Sequence, residues 1–298
     1  MNKYSTTFNL YKKKPIINNF KINKITSKLL IKNLSKNSCG GLRLKGFFKH
    51  KSTILPLITV ITVVRNNERY IEETILSVLS QKYKNLEYII IDGNSTDGTK
   101  NIIKKYNKYI DYWISKKDRG IYDAFNEGLK LSNGNYVVFL NSDDVFTSNA
   151  FLYLNKYLKK KKDFIFGSVK KHWGVLHGYR PQKIWYSWGF YSSHSSGFFV
   201  KDEAMKKIGK YKLKYKYSSD YDYFYRMIVK HKLSGIASSK KEIFGVFRRG
   251  GFSSKIPFRK HFMEELKIRY DNGQNILLLL FICIGKITFN FRKFILNK

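Results

Sequence analysis

Only two cysteines, Cys39 and Cys283, occur in the 298 residues, far apart and in no C-x-x-C pair. That spacing argues against a zinc site or a disulfide framework and fits a reducing compartment. Acidic residues are scarce as well: 21 Asp and Glu face 57 Lys and Arg, a net charge of +36, and none precedes Glu68. Such a surplus calls for anionic company in phosphates, anionic lipid headgroups or nucleic acid, while an AT-biased genome rich in Lys, Asn and Ile codons would supply part of it without any partner. The N-terminus has no apolar run of signal-peptide type; its acid-poor, Lys/Ser/Asn-rich composition reads either as a transit peptide or as a solvated tail. The longest uninterrupted apolar run, Ile276 to Ile284, is nine residues, too few for the roughly 20 that span a bilayer.

What the chain does have is apolar material: 43% hydrophobic and 16% aromatic residues, enough to bury a core and to exclude global disorder. Residues 1–52 show weak periodicity and read as a basic extension. Pro56 then opens a β-branched run, Leu57 to Val64, ended by Arg65-Asn66-Asn67; this predicts a buried strand. Ile71, Ile75, Val78 and Leu79 follow at helical spacing, with Asn67 as the expected cap. A second buried strand, Glu87 to Ile91, ends at Asp92-Gly93, and Ser95 or Thr96 is expected to cap a helix running to about Tyr106. A short strand near Tyr112–Ile114, a helix from about Ile121 to Leu131 and a strand Tyr136–Leu140 complete the pattern. Strand and helix alternate four times, which predicts an α/β fold with a parallel sheet covered on both faces. Beyond Asp144 the regularity falls. Helices are expected at 202–208, 219–231 and 257–271, and the apolar tail reads as an interfacial helix with a basic rim or as a core helix.

In an open α/β sheet, ligands sit at the carboxyl ends of the strands. Three strands end in polar clusters: Asn66-Asn67, Asp92-Gly93-Asn94-Ser95-Thr96-Asp97-Gly98-Thr99, and Asn141-Ser142-Asp143-Asp144. Any one of them alone is an ordinary turn. Their placement after successive apolar strands makes a site. Adjacent carboxylates repel unless a cation neutralises them, and a hard ion such as Mg²⁺ or Mn²⁺ takes oxygen ligands that it can share with a diphosphate.

These stretches, together with Asp118-Arg119-Gly120-Ile121-Tyr122-Asp123-Ala124-Phe125-Asn126-Glu127-Gly128, Ser193-His194-Ser195-Ser196-Gly197-Phe198-Phe199, Ser218-Ser219-Asp220-Tyr221-Asp222 and Gly250-Gly251-Phe252-Ser253-Ser254, give the chain its resemblance to a family 2 glycosyltransferase. It is similar to those of the GT-A fold that build bacterial surface polysaccharides, over about residues 40–270. The resemblance implies a Rossmann-like, mostly parallel central sheet with a helical C-terminal tail. It divides the chain into the extension 1–52, a nucleotide-sugar-binding half 53–145, an acceptor-binding half 146–272 and a tail 273–298. It implies a nucleotide-sugar donor, UDP-linked, a divalent metal, and a glycan or lipid-linked acceptor; the basic surplus and the apolar tail fit a cytoplasmic protein peripheral to the inner face of a membrane.

By the same resemblance Asp92 accepts the N3–H of uracil, Asn66 flanks the nucleotide, and Asp118, Arg119 and Asn126 line the donor pocket. Asp143 binds the metal, Asp144 touches the donor sugar, and Asp220 is the general base, with Asp222 the competing choice. An acceptor hydroxyl must lose its proton as it attacks the anomeric carbon, which is why a base is needed. The chain departs from the family's D-x-D pattern at its first position, where Asn141 stands; its amide oxygen remains a metal ligand, directly or through water. Arg65 would pair with phosphate or with a nearby carboxylate, and Arg248 and Arg249 are candidates for a diphosphate clamp. His194 is an acceptor-side candidate, and the aromatics Trp185, Tyr186, Trp188, Phe190 and Tyr191 would stack on sugars or pack in the core. A nucleic-acid-binding protein is excluded by the absence of any zinc-finger, RNP-type or helix-turn-helix pattern and by the acidic strand ends, which would repel a phosphate backbone. A degenerate transferase fold kept as a binding or scaffolding partner is the alternative that Asn141 raises.

Overall fold

The computed structural model describes residues 4–12, 38–186, 195–251 and 256–291. His194, Trp188, Phe190, Tyr191 and the 252–254 part of the glycine-rich motif lie outside them. Twelve strands are described: β1 (Cys39–Gly40), β2 (Ile58–Val64), β3 (Leu86–Asp92), β4 (Tyr112–Ser115), β5 (Tyr136–Asn141), β6 (Val145–Phe146), β7 (Phe164–Phe166), β8 (Ser168–Lys171), β9 (Gly174–Leu176), β10 (Phe198–Lys201), β11 (Gly235–Ala237) and β12 (Ile243–Val246). The α-helices are α1 (Ile71–Leu79), α2 (Thr99–Lys105), α3 (Ile121–Leu131), α4 (Ala150–Leu158), α5 (Lys183–Tyr186), α6 (Asp202–Ile208), α7 (Ser219–Tyr225), α8 (Phe258–Asp271) and α9 (Ile276–Phe289).

Eight strands form the main sheet in the order β1-β4-β3-β2-β5-β10-β7-β11, and β6-β12-β8-β9 form a second, smaller one. The four central strands β4, β3, β2 and β5 run parallel, so their carboxyl ends share one rim. Strand β10 enters antiparallel between β5 and β7. That reversal brings its amino end, with Ser195 just before it, to the same rim. The period of two along β2 sends Ile61 and Val63 to one face and Ile58, Val60 and Val64 to the other. The first face packs under α3 and α7, the second under α1, α2 and α4, which accounts for strands that read as continuous apolar runs. Helix α3 approaches β2 closely because Gly128 has no side chain: a Cβ there would lie 2.4 Å from Ile61 Cγ2.

Two expected caps are not used as caps. Helix α1 starts at Ile71 without a side-chain cap; the Asn67 amide instead donates across the rim to Ser142 Oγ at 2.8 Å. Helix α2 starts at Thr99, and Ser95 bonds to Asp92 while Asp97 accepts from Thr99 N at 3.0 Å. Both side chains are drawn into the loop network at the rim, where they tie one strand end to the next.

The basic leader is not wholly solvated. Strand β1 pairs antiparallel with β4, and residues after it bring two cations into the core. Arg43 lies 2.5 Å from Glu87, both side chains almost fully buried, and Lys49, fully buried, donates to the carbonyls of Thr6 and Leu86 at 2.7 and 2.8 Å. Glu87, on a central strand, is thereby neutralised; a buried carboxylate without such a partner would be costly.

The tail helix packs on one side and is exposed on the other. Helix α9 buries Leu279, Ile282 and Lys286 against the domain and leaves Leu277, Leu280, Phe281 and Ile284 more than half exposed. Among the described residues no helix is long and apolar enough to cross a membrane.

Candidate active site

The carboxyl rim gathers most of the expected residues, and internal hydrogen bonds hold several of them in place. Asn66 leaves β2 with φ of 49°, in the left-handed region that Asn tolerates, and its side-chain oxygen accepts from Thr96 N at 2.8 Å. It holds the 93–98 loop against β2. Asp92 is fully buried at the end of β3; its carboxylate accepts from Ser95 N at 3.0 Å, from Ser95 Oγ and from Ser115 Oγ. The carboxylate that the resemblance assigns to uracil is thus a buried organiser of its own turn. The more accessible carboxylate nearby is Asp118, whose Oδ1 accepts from Gly120 N at 3.0 Å and whose Oδ2 would lie 2.6 Å from a Cβ on Gly93. Partial burial pushes Asp118 up from the ordinary carboxylate range, with the Arg65 charge opposing.

Arg119 and Asn126 are both engaged within the protein. Arg119 makes a two-pronged surface pair with Asp123, at 3.1 and 3.0 Å, with three-quarters of its side chain exposed. Asn126 is buried, and its amide exchanges two 2.9 Å hydrogen bonds with the backbone of Tyr211. It clamps α3 to the segment before α7, a packing role that a polar residue on a helix does not announce in sequence.

The turn after β5 is closed by the Asp144 N–H donating to Asn141 O at 3.0 Å. Asp144 is fully buried and its Oδ1 accepts from Arg248 N at 3.2 Å; burial, then the Asp143 charge, push it well above the usual carboxylate range. Asp143 is more accessible and is raised by burial, with its own backbone N–H and the Arg248 charge opposing. Asn141 Nδ2 donates to Ser195 Oγ at 3.2 Å, while its buried Oδ1 has no partner among the described residues. Among the described residues no three His, Cys, Asp or Glu side chains cluster as a metal site. One carboxylate, Asp143, and one vacant hard oxygen, Asn141 Oδ1, do suit a divalent ion that completes its shell with phosphate and water. Arg248 lies beside the turn, but its guanidinium pairs with Glu73 and sits 4.8 Å over the Tyr70 ring.

Asp220, in the first turn of α7, lines a cavity of about 510 Å³ together with Asn141, Tyr122 and His261. Its Oδ1 accepts from Tyr122 Oη at 3.0 Å and from Tyr221 N at 2.9 Å, and Oδ2 takes no hydrogen bond from the described residues. Burial raises its pKa; the Tyr122 hydroxyl, which favours the charged form, opposes. Asp222 points away, as its place on the helix requires. It is fully buried, held by Arg226 Nε at 2.8 Å, Lys212 Nζ at 3.1 Å and Asn272 Nδ2 at 3.0 Å. Of the two carboxylates, Asp220 lines the cavity and Asp222 does not. Sequence reasoning missed Tyr122, Lys171 and His261, all lining the cavity; Tyr122 falls inside a quoted motif, while nothing marks Lys171 among so many lysines. Of the aromatic cluster, Trp185 and Tyr186 are about half exposed.

The model of glycosyl transferase family 2 matches residues 59–213, just over half of the chain. An uncharacterised glycosyltransferase of Haemophilus influenzae is 36% identical over 128 residues, covering 42% of this chain and 47% of that protein. TuaG of Bacillus subtilis, a glycosyltransferase named for teichuronic acid biosynthesis, is 44% identical over 93 residues, 30% of this chain and 36% of TuaG. The chain thus spans about half the length of these relatives or less. Among solved structures, S. aureus TarS 1–349 with UDP-GlcNAc aligns at a TM-score of 0.55 and 17% identity, over 72% of this chain and 66% of that one. The Pyrobaculum calidifontis mannosyltransferase PcManGT, with GDP-Man and Mn²⁺, aligns at 0.58 and 19%, over 80% and 70%. These structural likenesses speak for the GT-A fold. The family model covers the parallel strands and the acidic turn and ends before Asp220; because it matches more than half of the chain, the chain belongs to glycosyl transferase family 2.

Proposed function

We propose that this protein transfers a sugar from a nucleotide-sugar donor, UDP-linked, to a hydroxyl of a glycan or lipid-linked acceptor in polysaccharide biosynthesis, with inversion at the anomeric carbon. The observation that carries the reading is Asp220, a carboxylate oriented by Tyr122 with its second oxygen available in the cavity that also contains Asn141. In a single in-line displacement the acceptor oxygen gives its proton to Asp220 Oδ2 and bonds to the anomeric carbon, while the bond to the diphosphate oxygen breaks on the opposite side. Tyr122 keeps the base oriented and opposes the upward push of burial on its pKa. Asp118 is the carboxylate we assign to the donor's nucleotide, beside a rim that Asn66 and Asp92 hold in shape; Asp144 lies under the sugar position. A Mg²⁺ or Mn²⁺ ion held by Asp143 and Asn141 Oδ1 would, when bound, neutralise charge on the departing diphosphate. TarS with UDP-GlcNAc and PcManGT with GDP-Man and Mn²⁺ are consistent with a donor of this class.

The exposed apolar side of α9 and the +36 charge support a peripheral position on an anionic, cytoplasmic membrane face. The test of the central reading is thermal stability against UDP, GDP and other nucleotides with and without Mn²⁺. A ligand that binds only the folded state raises the melting temperature. Stabilisation by UDP that needs Mn²⁺ is expected; a response to GDP alone overturns the donor base, and silence to every nucleotide leaves only the scaffold alternative.

A further inference from the structure

The second sheet delivers a cation to the acidic turn. Strand β6 begins directly after Asp144 and pairs with β12, Val145 opposite Val246, and β12 pairs in turn with β8, Val246 beside Lys170. The row continues one residue further: Phe247 N donates to Lys170 O at 2.9 Å, and Arg248 N donates to the Asp144 carboxylate. Lys171, the last residue of β8, therefore stands next to Phe247, its Nζ 4.6 Å from the ring centroid, and lines the cavity that contains Asp220 and Asn141. It is partly buried, and among the described residues its ammonium makes no hydrogen bond or ion pair. The other lysine of the cavity, Lys286, is paired with Glu265. Burial pushes Lys171 down, and the charges of Asp144 and Asp220 push it back up, so it sits in the field of both.

A compact ammonium is strongly hydrated, and withdrawing it from water without a counter-ion is costly. We propose that Lys171 is a phosphate-binding residue of the catalytic cavity, its ligand a phosphate oxyanion of the donor diphosphate or of a phosphate-bearing acceptor. The inference rests on the transferase reading above. It explains how the site tolerates Asn141: the positive charge is supplied partly by a fixed side chain, so less is asked of the ion.

Lys171→Met keeps an unbranched side chain of similar length and deletes the charge, and Lys171→Arg restores a cation. With Mn²⁺ present, UDP affinity is measured by calorimetry for all three proteins, then inorganic phosphate is titrated into each complex with UDP saturating. Loss of a charged hydrogen bond weakens binding about tenfold or more. A drop of that size for UDP in Lys171→Met, recovered in Lys171→Arg, places the donor diphosphate on Lys171. Unchanged UDP affinity with phosphate binding lost from the UDP complex places an acceptor phosphate there. Both affinities within twofold of wild type, in a Lys171→Met protein that melts as wild type does, overturn the proposal. If wild type itself binds no UDP, the transferase reading fails first, and that result is distinct because all three proteins then behave alike.

Discussion

Two carboxylates separated by one residue should respond to the same substitution in opposite ways. In Asp220→Asn the amide oxygen can still accept from Tyr122 and from Tyr221 N, so the fold and the donor site keep their contacts. What is lost is the proton acceptor, worth about 10²–10⁴ in rate, or roughly 3–5 kcal/mol of barrier. In Asp222→Asn the chemistry is untouched, but Arg226 and Lys212 lose the negative charge they share, and Arg226 is itself almost fully buried. Breaking such a pair costs about 3–5 kcal/mol, which for a domain of this size lowers the melting temperature by on the order of 10 °C. The assay measures three quantities on each variant: melting temperature, UDP affinity, and transfer rate per folded molecule. Asp220→Asn should lose transfer with stability and affinity retained, and Asp222→Asn should lose stability with transfer retained below its melting range. A folded Asp222→Asn protein that has lost transfer a hundredfold, or an Asp220→Asn protein that has not, would refute the assignment of the base.

Removing the Tyr122 hydroxyl takes away the hydrogen bond that opposes the upward push of burial on Asp220; because the base works deprotonated, the acid limb of kcat/KM in Tyr122→Phe should move to higher pH, with the alkaline plateau nearly kept. A profile superimposable on wild type would show that Tyr122 does not tune the base. Asp111, wholly buried beside Lys49 and Glu87, is pushed by burial to about 6, above the unfolded value of about 3.9. The native state therefore holds this proton more tightly, and stability rises as pH falls from 7.5 towards 4.5, by up to roughly 2 kcal/mol from this residue; urea unfolding should show Asp111→Asn losing that part of the slope, and parallel wild-type and variant curves would contradict it. On α9, Leu280→Glu and Phe281→Glu change exposed positions, so the doubly substituted protein should melt as wild type does yet stop sedimenting with phosphatidylglycerol vesicles. Continued sedimentation at both low and high salt would mean that this face is not the anchor.

The parallel half of the sheet was legible because its strands are buried on both faces and end in polar clusters, a pattern that apolar runs and turn residues carry locally. Helix α3, expected from Ile121 to Leu131, has those bounds. The leader was not legible, since Arg43 and Lys49 look like any other solvated cation until Glu87 and the Leu86 carbonyl are placed beside them. Nor was the insertion of β10 between β5 and β7, a pairing between residues far apart in sequence that a four-residue strand does not signal. At the site, sequence identified residue types but not their directions. The sequence preferred Asp220 to Asp222 without showing that the latter is held by Arg226, and Asn126 read as a ligand until its amide is seen spent on Tyr211.

Helix α9 turns Lys286 and Phe289 towards the Asp220 cavity and Leu280, Phe281 and Ile284 outwards. Whatever covers its outer side is separated from the cavity wall by about one helix diameter, roughly 10 Å. The helix is therefore a ruler as well as a wall: with a membrane on that side, the reach from lipid surface to base is set by its thickness. An acceptor would have to present its hydroxyl close to its anchor, favouring the early sugars of a growing chain over the far end of a long one.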